Sequence, residues 1–108
     1  MNVLPLPVER TLQRVGHGIS LARRRRHMSQ QDLAARIEAS VSTVRRMEEG
    51  HPGTAMQHFV RVMQVFGELD RVEHLLDTPQ DAIGLALMDE KLPQRVRRAK
   101  GTPPSRGF

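Results

Sequence analysis

The sequence contains no cysteine, no tryptophan and no tyrosine, and its only aromatics are Phe59, Phe66 and Phe108. Without cysteine there are no disulfides and no thiolate metal ligands, and a reducing cytoplasm is permitted. With so few rings, the core of this 108-residue chain has to be built from Leu, Val, Ile, Met and Ala. That palette suits packed helices better than strands. No apolar run nears the roughly 20 residues of a membrane span. Residues 1–7 carry no basic region ahead of their short apolar stretch and read as a poor signal peptide, so a cytoplasmic protein is expected. No paired carboxylates, no Ser-His-acid set and no glycine-rich phosphate loop stand out, so neither an enzyme nor a cofactor is expected. His51 and His58 lack the tight spacing of a metal site, and no metal is expected either.

Charge is abundant and unevenly placed. Residues 1–66 carry ten arginines against five acids; residues 67–90 carry Arg71 against seven acids; residues 91–108 carry six Lys or Arg and no acid. A basic body draws polyanions such as nucleic acid, and an acidic segment beside a basic tail suggests a second kind of partner. The plainer reading of the tail is a solvated end whose charge is offset by the acidic segment.

Hydrophobic periodicity divides the chain. Residues 1–10, with Pro5 and Pro7, read as an extended arm. Leu12, Val15, Ile19 and Ala22 form one stripe of a helix from about Thr11 to His27, with Gly16 and Gly18 weakening its start. Ser29-Gln30-Gln31-Asp32 is a capping-box pattern opening a second helix whose inward residues are Leu33, Ala34 and Ile37. Ser40 caps a third, with Val44 and Met47 inward, and Gly50-His51-Pro52-Gly53 stops it. Thr54 is expected to cap a fourth helix carrying Phe59, Val62, Met63 and Phe66, closed by Gly67. A fifth runs from about Leu69 to Leu76, with Val72, Leu75 and Leu76 inward. Thr78-Pro79 predicts a further helix over residues 78–92, ended by Pro93. Residues 93–108, basic and rich in Gly and Pro, read as a flexible tail.

The second and third helices, joined by a tight turn, fit a helix-turn-helix unit within a domain spanning 11–77. Ala34 is small where the two helices must cross. The outer face of the third helix consists of Val41, Ser42, Arg45 and Arg46. A helix of this kind fits the major groove, where Arg46 reaches guanine as a bidentate donor, Ser42 bonds several bases and Val41 touches a thymine methyl. Gln30, at the start of the second helix, is placed for a phosphate.

The run Met28-Ser29-Gln30-Gln31-Asp32-Leu33-Ala34-Ala35-Arg36-Ile37, followed by Ser40-Val41-Ser42-Thr43-Val44-Arg45-Arg46-Met47-Glu48-Glu49-Gly50, resembles the Cro/CI (Xre-type) helix-turn-helix family over about residues 12–67. The resemblance implies an all-α, five-helix DNA-binding domain followed by a C-terminal helical extension and a disordered basic tail. It implies base contacts from Val41, Ser42 and Arg46, and backbone contacts from Gln30, Thr43, Arg45, His51 and Thr54. It also implies a structural salt bridge between Arg23 and Glu48, which leaves Arg24, Arg25 and Arg26 on or near the surface. Glu38 stands where the family carries glycine, at a turn position favouring a left-handed backbone that costs a non-glycine residue about 1–2 kcal/mol.

The stretch from Gly84 to Arg98 resembles the tails of HipB-like antitoxins encoded beside a HipA-like kinase toxin. This implies a homodimer that represses its own operon at a palindromic operator and binds the toxin. Leu85, Leu87, Met88 and Leu92 then become dimer or toxin contacts, since apolar surface outside the minimal domain seeks a partner; alternatively this helix packs back on its own domain. A plain repressor without a toxin, and a protein-interaction module that has lost DNA binding, are the other two readings.

Overall fold

The computed structural model describes residues 3–77 and 82–95. It is all-helical, with no strand among the described residues: α1 Leu6–Arg25, α2 Gln30–Arg36, α3 Val41–Glu48, α4 Met56–Val65, α5 Leu69–Glu73 and α6 Ala82–Glu90. The chain divides into two compact units, residues 1–75 and 76–108.

The first helix begins at Leu6, five residues earlier than the periodicity predicts, so the expected arm over residues 1–10 is in large part helix. Pro5 precedes the helix and Pro7 lies in its first turn, where a missing N–H costs no intrahelical bond. Thr11 lies inside the helix, and its hydroxyl donates to the Pro7 carbonyl at 2.8 Å. The expected capping box at α2 is present in full. Asp32 N–H donates to Ser29 Oγ and Ser29 N–H donates to Asp32 Oδ2, both at 2.9 Å. The backbone bond, then the hydroxyl bond, from Ser29 holds the Asp32 carboxyl below its ordinary range. The box therefore stabilises the fold above that range and is lost as pH falls through the lowered value. At α4 the cap differs from expectation. Ala55 occupies the cap position with no side-chain bond, because the Thr54 hydroxyl donates back to the His51 carbonyl at 3.0 Å.

The core joins Ile19, Leu33, Ala34, Ile37, Val44, Met47, Val62 and Phe66, with Ala22, Met28, Ala39, Phe59 and Val65 packed against it. Each fully buried aliphatic side chain contributes about 1.5–3 kcal/mol. Three expected inward residues are not inward: Val15 is 42% exposed, Leu75 75% and Leu76 96%. Leu75 and Leu76 fall outside α5, which ends at Glu73, so they leave the stripe that Val72 continues. In the second unit α6 closes at Glu90; Lys91 and Leu92 form a turn onto the Met88 and Asp89 carbonyls. The expected Thr78-Pro79 start lies outside the described residues.

Gly16 explains how α3 is seated. A Cβ at Gly16 would meet the Met47 and Glu48 carbonyl oxygens at 2.5 Å, so the end of α3 lies directly against the α1 backbone. Gly50, at φ +81°, makes the reciprocal approach, since a Cβ there would lie 2.7 Å from Gln13 Cα. Gly18 has nothing within 4 Å of its missing Cβ. The two α1 glycines should therefore respond oppositely to alanine. Gly16→Ala is expected to destabilise the domain by about 3 kcal/mol through backbone overpacking. Gly18→Ala should stabilise it by about 1 kcal/mol through helix propensity. Urea titration followed by circular dichroism measures both, and equal effects would contradict the close approach.

Candidate nucleic-acid interface

The turn between α2 and α3 closes by local bonding. Glu38 N–H donates to the Ala35 carbonyl at 3.3 Å and Ala39 N–H to the Ala34 carbonyl at 2.9 Å. This pairing is a Schellman motif, which requires its penultimate residue to be left-handed. Glu38 accordingly adopts φ +56°, so the turn keeps its glycine-type geometry with glutamate in place. Arg61, from α4, donates to the Ile37 carbonyl at 3.1 Å and approaches the Glu38 carboxylate at 3.8 Å. The same motif closes α1 at His27, also φ +56°, with bonds from His27 N–H to Arg24 O and Met28 N–H to Arg23 O. No sequence signal marked His27.

Beyond the turn, Ser40 accepts the Thr43 N–H at 3.1 Å and its hydroxyl lies 3.0 Å from Thr43 Oγ1. Val44 and Met47 are buried, which turns Val41, Ser42, Arg45 and Arg46 to the other side of α3. Val41, Arg45 and Arg46 are exposed and Ser42 is partly exposed. Neither Arg45 nor Arg46 has an ion-pair partner among the described residues. One face of α3 is thus held in the core, while the opposite face presents a short apolar and hydroxyl surface flanked by two uncompensated cations.

The far end of α3 is tied by a buried knot. Arg23 Nε donates to Glu48 Oε2 at 2.6 Å and Nη2 to Oε1 at 3.1 Å, while Nη1 donates to the Met28 carbonyl at 2.8 Å. Gln30 Nε2 donates to Glu48 Oε1 at 2.9 Å. One carboxylate therefore connects α1, the start of α2 and the end of α3. Gln30, expected at a phosphate, commits one amide N–H to the knot, a bond that its separation from Glu48 along the chain did not advertise.

The arginine run of α1 is also employed locally. Arg26 donates to the Ala22 and Phe66 carbonyls and stacks 4.6 Å from the Phe66 ring centroid, joining α1 to the end of α4. Arg24 donates to the Ser20 carbonyl at 3.4 Å. In the loop after α3, His51 Nδ1 accepts the Gly53 N–H at 2.9 Å. Thr54 directs both its N–H and its hydroxyl to the His51 carbonyl, so it has no donor left for a phosphate. That removes the hydrogen bonds its expected backbone contact required. In the second unit, Leu87, Met88 and Leu92 are exposed, and the Leu85 side chain lies outside the described residues. The one group with metal-ligand spacing among the described residues, Asp70, Glu73 and His74, is fully on the surface. Within the described residues no helix is long and apolar enough to cross a membrane.

A capped, tightly turned helix pair whose second member is buried on one side and cationic on the other is a helix-turn-helix, the module of a DNA-binding regulator. Residues 19–73 match the model of the helix-turn-helix family, just over half of the chain, and the protein belongs to that family. No curated protein and no solved structure matches it.

Two substitutions probe how the recognition helix is held. Glu48→Ala leaves the Arg23 charge buried without its partner and should cost about 3–5 kcal/mol. Glu48→Gln, which keeps an acceptor, should cost less, and chemical denaturation ranks the two. Glu38→Gly relieves the left-handed turn and should raise stability by about 1 kcal/mol; an unchanged or lower unfolding midpoint would show that the strain is absent.

Proposed function

We propose that the protein is a sequence-specific repressor that binds a palindromic operator in double-stranded DNA as a homodimer, with α3 in the major groove. The observation that carries this reading is the outward face of α3. In this reading Val41, Ser42 and Arg46 reach base edges, and Arg46 has no ion-pair partner among the described residues. Arg45, Thr43 and His51 flank them toward the sugar-phosphate backbone, and Gln30 positions the start of α2 there through its bond to Glu48. A two-fold dimer reads half-sites about one helical turn apart. Leu87, Met88 and Leu92, exposed on and just after α6, favour a protein contact beyond the DNA-binding unit. With the HipB-like character of residues 84–98, this supports an antitoxin that represses its own operon and binds a HipA-like kinase through these residues and Leu85. A plain repressor is the reading if α6 serves only the dimer.

Arg46→Ala should weaken binding to the specific site by about 1–3 kcal/mol and relax the base preference at one position of each half-site. A selection from randomised duplexes, followed by affinity measurement for both proteins, tests this. An unchanged affinity and motif would remove Arg46 from the reading surface. Recovery of a kinase-like protein together with the DNA upstream of the protein's own gene, in a pull-down from the host, distinguishes the antitoxin from the plain repressor.

A further inference from the structure

Between α1 and α4 the domain leaves an apolar groove. Two adjoining hollows, of about 360 and about 240 Å³, share Val15, Ile19 and Phe59 as a common floor. We propose that this groove is an effector site for a single-chain amphiphile ending in one carboxylate, and that its occupation weakens the hold on duplex DNA. The binding site stands without the DNA-binding reading; the effector role rests on it.

The groove lies where the sequence predicts core. Leu12, Val15, Ile19 and Ala22 form one stripe of α1, yet Ile19 alone of the four is buried, and Val15 is 42% exposed. The first helix gives its close packing to α3, through Gly16, and the rest of its apolar stripe borders the groove. Across from it stand Phe59 and Met63 of α4, with Met56 78% exposed at the far end. Flexible thioethers suit a wall that adapts to its occupant. Gly18 is the second observation. It lines the larger hollow, and an added Cβ would have nothing within 4 Å. A mid-helix glycine weakens its helix. Gly16 gains a close neighbour in return, whereas Gly18 leaves only space, which is what a ligand approaching the backbone requires.

The two ends of the groove differ, and the difference selects the ligand. At one end lie Arg25, Arg26 and Arg71, with Glu68 the only acid in the lining. Arg26 is held by two carbonyls, and Arg71 approaches Glu68 at 3.5 Å. No hydrogen bond or ion pair engages Arg25 among the described residues. One guanidinium fork is thus open, which matches one carboxylate. A dianionic phosphate head would also meet Glu68, and a neutral ligand would leave the fork unused. The other end, lined by Leu12, Thr54 and Met56 beside His51, carries no Lys, Arg, Asp or Glu. Leu12 and Arg25 stand roughly 20 Å apart at the rise of a helix, so an extended chain fits better than a compact ring. The larger hollow has the volume of an ordinary ligand site.

The groove also reaches the supports of the recognition helix. Met47 and Gly50, at the end of α3, line its smaller hollow. Its α4 wall belongs to the helix that carries Arg61, whose bond to the Ile37 carbonyl braces the turn before α3. A chain wedged between α1 and α4 loads both supports. Linkage then requires bound duplex to weaken the ligand by the same factor.

The test is isothermal titration calorimetry of the full chain with octanoate, decanoate and 1-decanol. Affinity should rise about tenfold from octanoate to decanoate, the worth of two buried methylenes. Arg25→Gln should weaken decanoate about tenfold and leave decanol unchanged. Gly18→Leu, which fills the larger hollow, should abolish binding of both, and Gly18→Ala should weaken both in part; circular dichroism verifies that these variants fold. Saturating decanoate should lower affinity for a duplex carrying the selected site by about fivefold or more, and saturating duplex should lower decanoate affinity equally. Absence of decanoate binding, or variants that bind it as wild type does (adsorption to the surface only), would overturn the site. Self-association that Gly18→Leu abolishes, with no carboxylate bound by wild type, would assign the groove to a second copy and likewise sink it. Decanoate binding that leaves duplex affinity unchanged removes the effector role. If no duplex binds at all, the DNA-binding reading and the effector role fall together, and the calorimetry still decides the site.

Discussion

The placement of the recognition helix depends on a backbone contact. The last turn of α3 lies against α1 at Gly16, closer than any side chain permits, and the Glu48 carboxylate at that same end binds Arg23 and Gln30. The contact sets the distance and the knot sets the direction, since a bidentate guanidinium-carboxylate pair fixes a plane as well as a separation. Removing two charges from water is expensive, and such a pair is often no more stabilising than apolar residues of the same shape. Its value here is geometric: three helix segments share one carboxylate, so none of them can rotate without breaking bonds to the others. The start of α3, by contrast, is held by local bonds to Ser40 and by Val44 in the core, which leaves its first turn accessible.

The helix ends show where the chain accepts strain to preserve this arrangement. Left-handed closures occur at Gly50 and Gly67, where they are inexpensive, and at His27 and Glu38, where they are not. At Glu38 some compensation is visible. Arg61 satisfies the Ile37 carbonyl at the end of α2 while standing near the Glu38 carboxylate, and Ala39, the next residue, packs on the core. The turn angle of a helix-turn-helix is thus maintained by tertiary contacts from α4 rather than by turn chemistry alone. The same contacts connect the angle of α3 to the integrity of α4.

Much of this was legible in the residues. The capping patterns at Ser29 and Ser40 and the stripe of Leu33, Ile37, Val44 and Met47 located the helix pair, because caps and period are local signals. The length of α1 was not legible, since prolines in a first turn resemble those of an extended arm. Gly16 read as a weakness in α1, because helix propensity is a local quantity while the reason for this glycine is the backbone of α3, some thirty positions onward. Gln30 and Thr54 show the same limit in polar form. Each was assigned outward by its position in the motif, yet the structure gives their donors internal acceptors. A hydrogen-bonding side chain near a surface has competing partners, and only the folded chain decides among them. Leu75 and Leu76 continued a helical stripe on paper, but the helix stopped before them.

The electrostatic argument changes accordingly. A formal charge of +5 suggests a polyanion partner, yet net charge does not say which cations are available to it. Arg23 is buried against a carboxylate, Arg26 and Arg61 bind helix-end carbonyls, and Arg24 bonds within its own helix. These arginines act largely as connectors, and their charge is partly absorbed by carbonyl dipoles and acids. Arg45 and Arg46 have no hydrogen-bond or ion-pair partner of this kind among the described residues, and they stand on a helix whose opposite face is locked into the core. A cation whose own fold offers no counter-ion releases the most when it meets a phosphate or a guanine edge, because nothing internal has to be broken first. The charge left to a polyanion is therefore set by which arginines the fold leaves unpaired, Arg45 and Arg46 among them, and the surplus across the whole chain is a poor measure of it.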